Sequence, residues 1–289
     1  MSVSETLRTV LGEKIPEAGP GGRRVLITGA ASGLGLALAR EYLALGDEVI
    51  LTDIHAEAPP EVTALPGIWS YRKLDVTSDA DWADVAVVVD SLDILVNNAG
   101  IAVGGSLETT TMASWERIID INVLGIVRGC RALAGTLPRG GRIVITASAA
   151  GLVHAPSMSA YNATKAAAVA LGETLDAELR PRGITTSVIC PQFFRSGLAD
   201  SLSGDDPEAD EMARKLLSKT HLTSEIIARR SVKGIEARRT VITPDAFATF
   251  AWYSKRYTRA TFLASTRLIG RVTGNSSGTT AVAHAESAT

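Results

Sequence analysis

The chain has 289 residues, of which 46% are hydrophobic and 21% charged, and its formal net charge is −2. These values exclude a disordered, collagen-like or strongly acidic chain and suffice for one large α/β domain. Two cysteines far apart, Cys130 and Cys190, exclude a disulfide scaffold and a cysteine-rich zinc site, and they fit a reducing, cytoplasmic setting.

Residues 1–22 carry Glu5, Arg8, Glu13 and Lys14 without an apolar core, so they read as a loose arm and not as a secretory signal. RRVLIT (23–28) is a short apolar run bounded by glycine, which predicts a buried strand. Residues 33–45 then place Leu34, Leu38, Tyr42 and Leu45 at helical spacing, and Gly46 stops the helix. EVILTD (48–53) is a second strand; Pro59 and Pro60 leave room only for a short or distorted helix after it. IWSYRKLD (68–75) is a third strand, SDADWADVAVVV (78–89) a helix capped by Ser78, and DILVNN (93–98) a fourth strand. A long helix over about 112–136, strand RIVITAS (142–148), a helix over about 158–180 and strand ITTSVIC (184–190) follow.

Residues 191–222 form a long polar connection of the kind that serves as a substrate lid. Helices over about 208–219 and 223–237, a strand around TVIT (240–243) and a final helix after Pro244, about 245–271, complete a domain spanning 23–272. The tail 273–289 has a disordered composition. No segment reads as a membrane span: the longest uncharged stretch, 143–164, contains His154, Pro156 and many Ser and Thr residues. The alternation of β and α predicts an α/β fold, a doubly wound parallel sheet with helices on both faces and strand order 3-2-1-4-5-6-7.

Charge is unevenly spread. Residues 212–271 hold thirteen Lys/Arg and three acids, a net +10. The stretch 245–271 mixes Phe247, Phe250, Trp252, Tyr253, Tyr257 and Phe262 with Lys255, Arg256, Arg259, Arg267 and Arg271. The expectation is that these aromatics cover a core or a subunit contact; anchoring at a lipid surface is the alternative.

Three motifs carry chemistry. TGAASGLG (28–35) sits between the first strand and the first helix, with Gly29, Gly33 and Gly35 spaced to let backbone N–H groups approach a pyrophosphate at the helix N-terminus. Asp53 ends the second strand, where a carboxylate accepts hydrogen bonds from adenosine ribose hydroxyls and repels a 2′-phosphate. Neither Ser32 nor Ile54 is basic, so the expected cofactor is NAD and not NADP. In YNATK (161–165), Tyr161 and Lys165 share one helix face, where an ammonium favours the phenolate of a neighbouring phenol. Taken singly, each motif also has a structural explanation, as a βα turn, a helix cap or an exposed helix pair.

TGAASGLG, KLDVT with Asp75, NNAG (97–100), the helix bearing Asn122, ITASAAG with Ser148, and YNATK together resemble the short-chain dehydrogenase/reductase family in its one-domain form, over about residues 22–200. Ser148 lies thirteen residues before Tyr161, the separation of that family. The resemblance implies a Rossmann-type fold and an NAD(H)-dependent oxidoreductase that interconverts a secondary alcohol and a ketone. It makes Tyr161 the general acid/base and gives Lys165 the nicotinamide ribose and the lowering of the Tyr161 pKa. Ser148 becomes the donor to the substrate oxygen, and Asn122 the holder of a water linked to Lys165. It also implies Gly29, Ser32, Gly33, Leu34 and Gly35 at the pyrophosphate, with Asp53 and Ile54 at the ribose and Asp75 and Val76 at the adenine. Asn98, Ala99 and Gly100 would lie along the adenosine side, and Pro191, Phe193 and Ser196 near the nicotinamide.

One departure stands out. Gln192 occupies the place of the family's glycine and Ser196 that of its threonine, so the backbone at 192 must differ or Gln192 must reach a ligand. The substrate side is expected to be mostly apolar, built from Ser148, His154, Tyr161, Gln192, Phe193 and Phe194. The expected partner is a small alcohol or ketone, with no nucleic acid and no metal, in a homodimer or homotetramer built on the helices at 112–136 and 158–180. The alternative functions are a nucleotide-binding regulator without turnover, or a membrane-associated dehydrogenase of a lipophilic substrate.

Overall fold

Runs of aliphatic and β-branched residues become strands whose two faces are both covered, as a parallel sheet requires. In the computed structural model, which describes residues 21–195, 205–206, 210–211, 214–215 and 220–271, these are β1 (Arg24–Thr28), β2 (Glu48–Asp53), β3 (Trp69–Lys73), β4 (Ile94–Asn97), β5 (Arg142–Thr146), β6 (Thr185–Ile189) and β7 (Val241–Ile242). They form one parallel sheet in the order β3-β2-β1-β4-β5-β6-β7, as expected. Alternate residues point to opposite faces, so Val25 and Ile27 join one core cluster and Leu26 the other. The edge strand β3 is the exception to full burial: Ser70, Arg72 and Lys73 are exposed, and charge on an edge discourages pairing with another chain.

Helices α1 (Gly33–Ala44), the short α2 (Pro60–Thr63), α3 (Asp79–Val88), α4 (Met112–Ile119), α5 (Gly125–Leu133), the short α6 (Ala150–Val153), α7 (Ser159–Leu179), α8 (Ser224–Glu236) and α9 (Ala246–Tyr257) connect the strands, and a further helix, α10, runs over 259–271. One face of the sheet packs against α1 and α8 through Leu34, Leu38, Ile227, Val232 and Ile235. The other packs against α3, α5 and α7 through Trp82, Val85, Ile126, Leu133 and Ala168.

Several helix starts carry the expected chemistry. Ser78 accepts from Asp81 N–H, Thr111 from Ser114, Thr223 from Ile226 and Asp245 from Ala248. The structure departs from the sequence reading in three places. The helix expected over 112–136 is interrupted by a π-helical turn at Asp120–Leu124. The final helix is broken at Thr258, which leaves the helical region of backbone space. The four-residue α6 was not expected; it forms where Ser148 Oγ accepts from Ala150 N–H. The helix expected over 208–219, most of the connection 191–222, the arm at 1–20 and the tail at 273–289 fall wholly or largely outside the described residues.

At the end of the sheet where the strands begin, a buried ion network joins distant segments. Arg23 donates through Nη2 to Asp47 at 2.7 Å and through Nε at 3.0 Å, and its Nη1 reaches Glu236 at 3.0 Å. Arg142 meets the same glutamate at 2.6 Å. Asp47 also accepts from the Gly21 and Arg23 backbone N–H groups. Replacing Asp47 with Ala leaves the Arg23 guanidinium buried beside unmet N–H groups, so we expect a loss of about 3–5 kcal/mol in chemical denaturation. A loss below about 1 kcal/mol would show that Glu236 alone compensates Arg23.

Candidate active site

The crevice opens where the strand order reverses, at the C-terminal ends of β1 and β4. Gly29 leaves β1 with φ +63°, a conformation that costs glycine nothing. The loop then packs against the start of α1 so closely that a Cβ on Gly35 would lie 2.2 Å from the Gly29 carbonyl oxygen. Unlike the four helices above, α1 has no side-chain cap at Ser32 and no acid in its first turn. Its N-terminus therefore presents backbone donors and a partial positive charge to the crevice, as a pyrophosphate site requires.

Two side chains hold this loop. Thr28 Oγ1 accepts from the Asn98 and Ala99 N–H groups at 2.9 and 3.0 Å. Asn98 Nδ2 donates to the Thr28 and Gly29 carbonyls, and its Oδ1 accepts from Thr146 Oγ1 at 3.1 Å. The Asn98 amide is thus spent on the protein and supports the crevice from beneath, whereas the sequence reading had it along the ligand.

Asp53 is divided between two partners. Oδ2 accepts from Ala31 N–H at 3.0 Å, which ties β2 to the glycine loop, and Oδ1 lies 2.7 Å from His55 Nδ1. The imidazole is mostly exposed, and its backbone carbonyl accepts from the Tyr71 hydroxyl. His55 is a neighbour of Asp53 that sequence reasoning missed, although its place two residues further on was a signal. Ile54 is exposed beside them. Asp75 Oδ1 accepts from the Thr77 N–H and hydroxyl and so shapes the turn into α3, while Val76 is buried against Gly125.

The π-helical turn has a consequence at the site. It carries Asn122, fully buried, whose Oδ1 accepts from Ile101 N–H at 2.9 Å and whose Nδ2 donates to Ile101 O and Thr164 Oγ1. Gly100 fits between Asn122 and Lys165: a Cβ there would lie 3.0 Å from Asn122 Oδ1 and 3.3 Å from Lys165 Nζ. Widened turns of this kind recur at functional sites.

Ser148, just beyond β5, donates its hydroxyl to the Pro191 carbonyl at 3.4 Å and stands near the phenol of Tyr161, which is buried near the start of α7. One turn further on, Lys165 Nζ donates to the Thr146 carbonyl at 3.0 Å and stands 5.7 Å from the centre of the Tyr161 ring. Burial pushes the phenol up to about 12, against the opposing pull of the Ser148 hydroxyl. Burial also lowers the Lys165 ammonium to about 8, partly offset by Cys190. The sequence reading had Lys165 lowering the phenol; in the structure burial dominates, and Ser148 is the group that opposes it.

The substrate side needs two corrections. Phe194 is buried in the core cluster that contains Leu34, Ile189 and Ile227, so it does not line a pocket. His154 is engaged by α9: Lys255 Nζ lies 2.8 Å from its Nδ1 and donates to Leu152 O, while His154 Nε2 contacts Gly151 O. Burial and then the Lys255 charge lower the His154 pKa. Phe193 packs with Tyr161, Met158, Val103 and Trp115 in an apolar cluster. Gln192 needs no left-handed backbone, which explains how it replaces a glycine, and its N–H donates to Asp245 Oδ2. Pro191 O accepts from Ala149 N–H and Ser148 Oγ. Ser196 lies outside the described residues. Among the described residues, no cluster of His, Cys, Asp and Glu could hold a metal ion.

Residues 23–207 match the family model for the short chain dehydrogenase, so the chain belongs to the short-chain dehydrogenase/reductase family. It is 37% identical over 203 residues to 2-(S)-hydroxypropyl-CoM dehydrogenase 3 of Xanthobacter autotrophicus (66% of this chain, 80% of the relative). It is 35% identical over 191 residues to 3-alpha-(or 20-beta)-hydroxysteroid dehydrogenase of Mycobacterium bovis (64% and 74%). A short-chain dehydrogenase/reductase from Burkholderia phymatum, solved in complex with NAD, superimposes with a TM-score of 0.75 at 28% identity, covering 82% of this chain and 93% of that one. The chain is an oxidoreductase of the kind that acts on secondary alcohols and ketones with a nicotinamide nucleotide.

Substituting Ala for Gly35 puts a methyl group against backbone that cannot move aside. We expect dinucleotide affinity, followed by NADH fluorescence, to fall roughly tenfold or more. Unchanged affinity in a folded variant would remove the glycine loop from the binding site.

Proposed function

We propose that the chain is an NAD(H)-dependent dehydrogenase that interconverts a secondary alcohol and a ketone, with Tyr161 as the general acid/base. The observation that carries this reading is the buried Tyr161 phenol with Lys165 Nζ 5.7 Å from its ring centre and Ser148 nearby, at the end of the sheet that also holds the uncapped α1 N-terminus. The fit of a dinucleotide rests on that free helix end, on the glycine packing a Cβ would fill, and on the Asp53 carboxylate 22 residues beyond Ala31.

When bound, the nicotinamide supplies the hydride chemistry. Tyr161 exchanges a proton with the substrate oxygen, and Ser148 holds that oxygen through its hydroxyl. Lys165, held by the Thr146 carbonyl, offers an ammonium to the ribose hydroxyls, and Asn122 fixes the backbone at Ile101. With its phenol near 12, Tyr161 rests in the protonated form, which is the acid that carbonyl reduction needs. Alcohol oxidation requires the phenolate, and therefore positive charge drawn toward the ring.

Asp53 supports NAD over NADP, since a carboxylate repels a 2′-phosphate. The apolar surroundings of Tyr161, from Val103, Trp115, Met158 and Phe193, support a substrate with an apolar body. The relatives named for hydroxypropyl-CoM and hydroxysteroid dehydrogenation agree with a secondary alcohol. A homodimer or homotetramer on α4–α5 and α7 is supported by the exposed Met112, Ile119 and Leu124. The free, buried Cys130 and Cys190 suit a reducing compartment.

The deciding experiment follows nicotinamide absorbance with NAD⁺ and NADP⁺ over secondary alcohols from aliphatic to steroid-sized. NAD-dependent turnover is expected to fall roughly 10²–10⁴-fold in Tyr161→Phe while NADH binding persists. Turnover retained in that variant would overturn the assignment; absence of dinucleotide binding would favour a scaffold role.

A second test uses pH. Below about 8 Lys165 is an ammonium and above it a neutral amine. NADH affinity should therefore hold below pH 8 and weaken above it, and Lys165→Met should bind more weakly with a flat profile. A wild-type profile flat through pH 8 would take Lys165 out of ribose binding.

A further inference from the structure

The C-terminal helices lie beyond the segment that the family model matches. Helix α9 has two different faces. Ala248 and Ala251 are buried, Trp252 packs on the core, and Lys255 is held by His154 and Leu152. On the opposite face Phe247, Phe250, Tyr253 and Tyr257 are 62, 71, 47 and 74% exposed. Their spacing of three and four residues makes one continuous stripe, and Tyr253 and Tyr257 stack at 5.9 Å between ring centres. Of the aromatics expected to cover a core or a subunit contact, Trp252 packs on the core, while these four face away from it. Helix α10 adds an exposed Leu268.

The charge around the stripe has one sign. Residues 246–271 contain Lys255, Arg256, Arg259, Arg267 and Arg271 and no acid, and the four arginines are exposed. Exposed aromatic rings flanked by cations suit an interface that is apolar within and anionic at its rim. Two copies meeting through this face would bring like charges together, which disfavours a self-contact. No described helix is long and apolar enough to cross a membrane, so a lipid contact here is superficial.

We propose that α9 and α10 form a docking surface for an anionic lipid membrane. Phe247, Phe250, Tyr253 and Tyr257 enter the headgroup boundary and the arginines pair with lipid phosphates and carboxylates. The surface adjoins the segment before α7: Lys255 Nζ donates to the Leu152 carbonyl and meets the His154 ring, and a Cβ on Gly270 would touch Pro156 at 3.8 Å. A membrane bound here sits beside the Leu152–Pro156 segment that leads into the Tyr161 helix.

The test floats the full chain with phosphatidylserine–phosphatidylcholine vesicles and with vesicles of phosphatidylcholine alone, at low and high salt. Binding is expected only to the anionic vesicles and only at low salt. Arg256→Gln with Arg259→Gln should weaken it about 30-fold. Phe250→Ser with Tyr257→Ser should weaken it roughly tenfold or more. All four positions are exposed and outside the catalytic group, so NADH binding and circular dichroism should match the parent. Failure to bind anionic vesicles, or binding that ignores both double variants, overturns the proposal. So does a chain whose self-association is dissolved by the Phe250/Tyr257 variant, which would make the stripe a subunit contact; an acidic protein partner would show itself as a face that ignores vesicles.

Discussion

A doubly wound sheet must part at the strands where its winding reverses, and the two chain segments leaving β1 and β4 have no ladder to hold them. Here that gap is closed by Thr28 and Asn98. One hydroxyl accepts two backbone N–H groups, and one amide bridges the Thr28 and Gly29 carbonyls to Thr146 on β5. Every group in this exchange is paired, so the crevice carries no unmet buried polar atom from these two residues. The glycine loop, the α1 N-terminus and the end of β5 are positioned against each other by this arrangement, and the chemistry-bearing side chains inherit their places from it.

The second constraint is the burial of Lys165. An ammonium without water is costly; its hydrogen bond to the Thr146 carbonyl and the neighbouring Cys190 offset part of this. A glycine at position 100 leaves room for that amine, since a Cβ there would lie 3.3 Å from Nζ. Such an amine is easily titrated, and so is suited to respond to whatever binds against it.

Much of this was legible in the amino-acid order. Strands β1, β4, β5 and β6 announce themselves because a strand covered on both faces must be a continuous apolar run. The start of α3 was legible because Ser78 is a cap that needs no tertiary partner. The Tyr161–Lys165 pair was legible from its spacing on one helix, and Ser148 from the family resemblance. What escaped depends on contacts between elements distant in the chain. Nothing local distinguishes Phe193 from Phe194, yet one packs beside Tyr161 and the other goes into the α1–α8 core. His154 looked available because Lys255 is 101 residues away. The π turn at Asp120–Leu124 leaves the heptad-like pattern of its helix intact and so has no periodic signature.

The ion network at the start of the strands has a temporal side. Arg23 opens the first strand, but one of its partners, Glu236, lies 213 residues later in the chain. During synthesis the central strand therefore emerges with a guanidinium whose full set of acceptors does not yet exist. Arg142, on the far side of the sheet's centre, waits for the same carboxylate. The sheet can assemble provisionally from its amino-terminal half, but its lower edge is locked only once α8 has left the ribosome. Completion of the fold is thereby coupled to completion of most of the chain, and truncated products are left with paired arginines facing an absent acid.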